Sequence, residues 1–320
     1  MKKIMFNRPV KREPWGGGGH MIVALYDYLI KKGYNIVFEL EDNIDIILIF
    51  DPRPHLPGTG FQSILEYKSS NPGCKVVQRI NDTDIARPND TPWRDEMFKH
   101  VNSHVDYTIF ISSWVKEYFE KQGIKSNSQN SKVIINGCNS NWFYPAEKKK
   151  LNMKNIKFIT HHWSDNPMKG LDVYKFMDII SSQNDNIEFT YLGRYSKGYT
   201  PTNTNIVPPT YGKDIGKILR DHDIYITGAR YEACGSHHIE AALCGLPVIF
   251  HSQGGAVPEV CKNHGKGFSD DTELIQAIND TIRDFNILRD KIDYNFLSMD
   301  RCCRDYEKCL LDLFNDKKVQ

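Results

Sequence analysis

The stretch Arg230–Glu259, RYEACGSHHIEAALCGLPVIFHSQGGAVPE, holds the pattern on which the fold turns. Asp223–Thr227 before it reads as a strand, Ser236–Cys244 within it as a helix, and Pro247–His251 as the next strand. Gly235 opens the helix, and a glycine there lets a ligand approach backbone N–H groups with no Cβ in the way. The helix end adds about half a positive charge, which suits a diphosphate. Glu240, one turn in, lies within reach of a neighbouring polyol such as ribose, and Glu232 sits on the loop before the helix. Taken alone, Glu-x7-Glu also reads as ordinary helix capping.

The same alternation extends in both directions. After the linker, Lys157–Thr160 and Glu188–Gly193 read as strands, with Gly170–Ser182 and Asp214–Asp221 as helices, and Asp271 to about Asp316 is helical by periodicity. Ahead of it, Lys3–Phe6, Asn35–Leu40, Ile44–Phe50, Cys74–Arg79, Val105–Ile111 and Lys132–Ile135 read as strands. Met21–Lys32 and Ser113–Gln122 are the helices between them, closed by Gly33 and Gly123. Apolar strands separated by helices predict an α/β fold with parallel sheets covered on both faces. The break at Pro145–Asn155 divides the chain into domains 1–147 and 148–299, two Rossmann-like halves facing a cleft, with a helix at 300–320 crossing back to the first.

Composition narrows the function classes without choosing one. With 320 residues, 41 Lys+Arg against 40 Asp+Glu and a net charge of +1, the chain has no basic excess for nucleic acid. No apolar run reaches the roughly 18–20 residues that span a bilayer, and Met1–Pro14 has no apolar core of a secretory signal. The eight cysteines form no CxxC pair, and Cys261-x-x-His264 lacks a second ligand pair, so structural or surface thiols are expected rather than zinc. A reduced, cytoplasmic protein follows, with peripheral attachment to a membrane left open; oligomeric state is unreadable from these features.

With its flanks, the opening stretch resembles the retaining nucleotide-sugar glycosyltransferases of family 4, which have the GT-B fold. The family signature, E-G-F-G-x4-E-A-x2-x-G-x-P-V, is matched in register by Glu232, Gly235, Glu240, Ala241, Gly245, Pro247 and Val248, and Gly254, Gly255 and Glu259 follow. The family's N-G-V-D-x3-F-x-P block is met by Asn136, Gly137, Phe143 and Pro145, with Cys138 and Asn139 substituted. Its R-x4-K-G block is met by Lys169 and Gly170, but Ser164 stands where the Arg is expected. The resemblance spans Val105–Phe268.

It implies transfer of a hexosyl or pentosyl unit from a nucleoside diphosphate sugar, UDP- or GDP-type foremost, to an acceptor hydroxyl with retention. Glu232 and Lys169 would be catalytic, Lys169 neutralising the leaving diphosphate and Glu232 binding sugar hydroxyls. Gly235, Ser236 and His237 would present N–H groups to the phosphates, Glu240 would hold the ribose, and the Ser164 position would belong to the phosphate clamp. Base contacts would come from the loop after Glu188–Gly193 and from Tyr211. The donor is a co-substrate, so no cofactor and no metal are implied, and Asp82-Thr83-Asp84 lies in the wrong domain for a DxD metal triad. The acceptor would be a glycan, glycolipid or glycoprotein.

Several positions keep two readings. Losing the Arg from a phosphate clamp costs on the order of several kcal/mol; either His161, His162 or a basic residue from elsewhere partly replaces it, or both histidines are ordinary buried ones. The loop Trp15–His20, WGGGGH, lacks the G-x-G-x-x-G dinucleotide spacing, which argues against a nicotinamide dehydrogenase. Gly17 and Gly18 there, with His20 at the helix start, either approach donor and acceptor or form a plain turn. Asn81 and Asp82, at a strand's carboxyl end, either contact the acceptor or sugar or make a turn, and Trp93 and Arg94 are placed on an acceptor-facing loop. The rival function is a catalytically weakened nucleotide-sugar binder, which Ser164 and the missing first-domain His would suit.

Overall fold

The structure, a computed structural model, describes residues 2–12, 17–53, 59–147, 150–195 and 200–316. Trp15 and Gly16 of the glycine-rich loop, Lys148 and Lys149 of the linker, residues 196–199 and residues 317–320 of the crossing helix lie outside the described residues. Contacts divide the chain into two units. The first holds the described residues of Met1–Asp84, Thr91–Asn136 and Met299–Gln320, and the second holds Ile85–Asp90 and Gly137–Ser298. The division falls at Asn136/Gly137, ahead of the junction at 147/148 read from the sequence.

Unit one runs β1 (Lys3–Phe6), α1 (Gly17–Lys31), β2 (Asn35–Val37), β3 (Ile46–Ile49), α2 (Phe61–Ser70), β4 (Lys75–Ile80), α3 (Arg94–Asn102), β5 (Tyr107–Phe110), α4 (Ser113–Glu120) and β6 (Ser131–Val133). Its strands pair in parallel in the order β2-β1-β3-β4-β5-β6. Side chains alternate across the pleat. Ile4, Phe6, Leu48 and Val77 face one buried layer with Leu25 and Leu29 of α1, while Met5, Ile47, Ile49 and Val76 face another with Phe61 and Ile64 of α2.

Unit two runs β7 (Ile156–His162), α5 (Leu171–Gln183), β8 (Ile187–Gly193), β9 (Asn205–Val207), α6 (Lys213–Arg220), β10 (Ile224–Thr227), α7 (Ser236–Leu243), β11 (Val248–His251), α8 (Ala256–Cys261), β12 (Gly265–Phe268), α9 (Asp271–Arg283) and α10 (Phe285–Asp290). Its parallel order is β12-β11-β10-β7-β8-β9. The final helix, α11 (Met299–Asp316), belongs to unit one, where Cys302, Tyr306, Cys309, Leu310 and Leu313 join the α1 layer. All eight cysteines are buried, and none is in a disulfide.

The structure corrects several readings. Gly17 and Gly18 form the first turn of α1 rather than a loop ahead of it, and His20 lies in that turn, at the helix start. Arg94 opens α3 rather than lying on a loop, because Asp84 accepts from the backbone N–H groups of Trp93, Arg94 and Asp95 and so satisfies the orphan donors of that helix start. The C-terminal helical stretch is three helices, interrupted at Asp284 and again before Met299. The strands β9 and β12 escape a pattern search because Asn205 and Ile206 are exposed at a sheet edge and β12 is half glycine.

Candidate functional site

The order of the second sheet reverses between β7 and β10, and ligands of open α/β sheets bind beyond the strand ends at such a reversal. His161 and His162 close β7, and the loop after β10 carries Glu232. Lys169 reaches this place through a 3-10 turn, Pro167–Lys169, whose start is capped by the Asn166 side chain accepting from Met168 N at 2.9 Å. Arg230 N donates to Met168 O at 2.8 Å and so ties the Lys169 turn to the Glu232 loop.

The backbone of that loop is fixed by its neighbours. Tyr231, at φ 55°, donates its N–H to Gln253 O at 2.9 Å, and Ala256 N donates to Glu232 O at 2.8 Å. Gly255 makes this contact: a Cβ there would lie 2.4 Å from Glu232 O. A Cβ on Gly235 would lie 2.8 Å from the Glu232 carboxylate, so glycine at the helix entrance makes room for the acid. Gly235 caps α7 with no side-chain hydrogen bond, which leaves the first-turn N–H groups of Ser236 and His237 without a side-chain cap. Pro145 packs beside Gly245, which links two of the sequence blocks.

Glu232 Oε2 accepts from Lys169 Nζ and lies 3.5 Å from His237 Nε2. Burial alone would raise the pKa of this carboxyl, but the Lys169 charge and hydrogen bonds from His237 and Lys169 outweigh it and hold it well below the usual carboxylate range. Glu240 Oε2 accepts from His161 Nε2 at 2.7 Å, with both residues buried. His162 is enclosed, sharing its Nε2 with Tyr174 OH; burial, with His237 and Lys169 nearby, lowers its pKa well below normal and keeps it neutral. His162 therefore supplies no cation in place of the missing Arg, and His161 is occupied by Glu240. Ser164 Oγ accepts from Asn166 N at 3.2 Å and shapes the local turn. Tyr211 is half-exposed with its ring 4.9 Å from that of Trp163, over which the Arg194 guanidinium lies at 4.4 Å.

The remaining site candidates belong to unit one. Gly17, Gly18 and His20 start α1, and Asn81 follows β4. Asp82 accepts from Thr83 N at 3.0 Å and pairs with Arg94 Nε at 3.3 Å, so its carboxylate is engaged in the turn ahead of α3. Tyr225, which reads from sequence as one more apolar strand residue, was missed. Its hydroxyl lies 3.1 Å from His237 Nδ1 and 3.2 Å from His161 N. Only its interruption of an aliphatic run, Ile224-Tyr225-Ile226, could have flagged it.

These histidines set the acid response. Burial lowers the pKa of His162, His222, His237, His238, His251 and His264, the last to about 4. Each is held neutral in the fold, while the unfolded chain takes up its proton near pH 6.5. The stability they contribute is complete above that pH and is lost as pH falls toward the folded values, by up to about 1.4 kcal/mol per pH unit for each titrating group. All six lie in unit two, so its melting temperature is expected to drop steeply between about pH 6.5 and 5. Calorimetry across that range checks it; a flat profile would contradict the burial argument.

Comparison with known proteins comes to the same region. Residues 199–295 match the model of the glycosyl transferases group 1 family. The GPI3 subunit of phosphatidylinositol N-acetylglucosaminyltransferase from Saccharomyces cerevisiae is 24% identical over 215 residues, covering 62% of this chain and 47% of that protein. The chain thus spans about half the length of the curated relatives it matches. Among solved structures, sucrose-phosphate synthase from Thermosynechococcus elongatus superposes with a TM-score of 0.69 at 13% identity, covering 99% of this chain and 100% of that one. HepE from Anabaena in complex with UDP-glucose gives 0.66 at 15% identity, covering 98% and 100%. The two parallel six-stranded sheets with their helices are the GT-B fold of these glycosyltransferases.

Proposed function

We propose that the protein is a glycosyltransferase that moves a sugar from a nucleoside diphosphate donor, UDP- or GDP-linked foremost, to an acceptor hydroxyl with retention at the anomeric carbon. The arrangement at the β7/β10 reversal carries this reading: one ammonium, Lys169, and one helix start without a side-chain cap flank the buried Glu232. As the bond from the anomeric carbon to the diphosphate oxygen breaks, negative charge gathers on the diphosphate. Fixed donors aimed at that charge stabilise it more than they stabilise the bound donor. Lys169 and the N–H groups of Gly235, Ser236 and His237 fill this role, Glu232 binds sugar hydroxyls, and Glu240 accepts from the ribose. The Trp163–Tyr211 pair offers ring faces to the base.

The family match over 199–295 and the UDP-glucose complex of HepE support a nucleotide-sugar donor. On this reading unit two is the donor half and unit one takes the acceptor, a glycan, glycolipid or glycoprotein. The lipid acceptor named for the yeast relative favours the glycolipid. No helix of the described residues is long and apolar enough to cross a membrane, and we place the protein in the cytoplasm, peripheral at a membrane when the acceptor is lipid.

A thermal-shift series with UDP, GDP and ADP tests the donor. The matching nucleotide at a hundred times its Kd adds about 2.7 kcal/mol to the unit that binds it, or roughly 5–10 °C. The matching nucleotide sugar should then release UDP or GDP in an acceptor-dependent assay. No shift with any of the three, and no nucleotide released, would overturn the proposal.

A further inference from the structure

A run of buried polar groups leads from Glu240 toward Glu232. Glu240 Oε2 meets His161 Nε2 at 2.7 Å, the Tyr225 hydroxyl meets the His161 backbone N at 3.2 Å and His237 Nδ1 at 3.1 Å, and His237 Nε2 lies 3.5 Å from Glu232 Oε2. An ionised carboxylate only accepts, so Nε2 of His161 carries a proton toward Glu240. The Tyr225 hydroxyl faces His237 Nδ1 at 3.1 Å and donates toward the His161 carbonyl O at 3.3 Å, while its oxygen accepts from His161 N at 3.2 Å. Tyr225 thus pins the main chain that carries His161, meeting both its N–H and its carbonyl. Nδ1 of His161 is left buried with no partner, so Nε2 is the nitrogen that this ring commits to Glu240.

We propose that His161 is a positioning residue that holds the Glu240 carboxylate for the vicinal diol of the donor's ribose, with Tyr225 fixing it from behind. The inference rests on the function proposed above. Glu240 is carried on α7, where a long side chain has several rotamers open to it. His161 occupies Oε2 and leaves Oε1, which has no protein partner among the described residues, for a ligand. A single oriented oxygen can take both ribose hydroxyls, and a nucleotide lacking one leaves it under-satisfied. His161 would therefore act on ribose recognition rather than on the departing phosphate.

The test compares whichever of UDP or GDP binds with its 2′-deoxy form by titration calorimetry. Wild type is expected to prefer the ribonucleotide by roughly 10–100-fold, the span of one hydrogen bond to a charged group. His161→Leu should shrink that preference to about threefold or less and raise KM for the donor more than it lowers kcat, because the lost contact is equal in ground and transition states. His161→Gln, whose amide can still donate to Glu240, should keep most of the preference, and a melting curve on each variant separates misfolding from mispositioning. Tyr225→Phe should weaken the preference in part. An unchanged preference in His161→Leu, with Glu240→Gln abolishing it, would overturn the positioning role. So would a wild type that binds UDP or GDP without distinguishing the deoxy form. Failure of wild type to bind any nucleoside diphosphate would overturn the functional reading itself, and this inference with it.

Discussion

Lys169→Met is expected to lower turnover by about 10²–10³-fold, the cost of removing one fixed donor from a developing anion. Its ammonium is about one-fifth exposed and its contact is the buried carboxylate of Glu232. Without the diphosphate, that contact neutralises the acid. On the proposed function, the same charge would face the leaving group once the diphosphate is bound, and its attraction would grow as the sugar–oxygen bond breaks. The loss should thus fall on kcat and kcat/KM together, with a smaller change in nucleotide affinity.

The same substitution strands a buried acid. Removing one partner of a fully buried ion pair costs about 3–5 kcal/mol, and partial exposure here lowers that to roughly 2. Glu232 then loses the charge that holds its pKa down, while the burial that raises it stays. The double variant Lys169→Met/Glu232→Gln removes the stranded charge and should recover most of the stability and none of the turnover. A steady-state assay and a urea melt on the two variants separate chemistry from folding. Turnover within threefold of wild type in Lys169→Met would remove Lys169 from the leaving-group role.

Much of this site was visible as spacing along the chain. Glu232, Gly235 and Glu240 lie within one loop and one helix, and Lys169-Gly170 stands directly ahead of another, so local rules of helix entry bring them into view. The contacts that complete the site were not visible, because they join residues far apart in sequence. Tyr225 meets a main-chain group 64 positions away, and His161 meets a carboxylate 79 positions away. Local polarity also misled where a tertiary partner overrides it. Gly17, Gly18 and Gly19 read as a loop yet begin a helix, and α3 begins in a polar segment because Asp84 accepts its first N–H groups. The strongly apolar strands β3 and β10 were read within one or two residues, since burial on both faces leaves no other role for such runs.

The position beside Lys169 carries the largest expected structural penalty. Gly170 sits at φ 84° between the Lys169 turn and α5, and a Cβ there would lie 2.3 Å from the carbonyl carbon and oxygen of Gly228 at the end of β10. Gly228 cannot retreat, since a Cβ of its own would already be 2.7 Å from Val173 and its N–H donates to Tyr174 OH at 3.2 Å. Gly170→Ala therefore meets two costs: about 1–2 kcal/mol for a side chain in the left-handed region, and about 1–3 kcal/mol or more for a clash with backbone. A total near 3 kcal/mol lowers the melting temperature of unit two by roughly 6–12 °C. Gly33→Ala is the comparison that isolates the clash, because Gly33 has φ 85° with nothing within 4 Å of the added Cβ. It should cost about 1 kcal/mol, the conformational part alone. Relief of the clash in Gly170→Ala would also push the Lys169 turn away from Glu232, so its turnover should fall together with its stability. If calorimetry finds the two alanine variants equally stable, helix α5 and strand β10 do not meet as closely as the glycine pair requires.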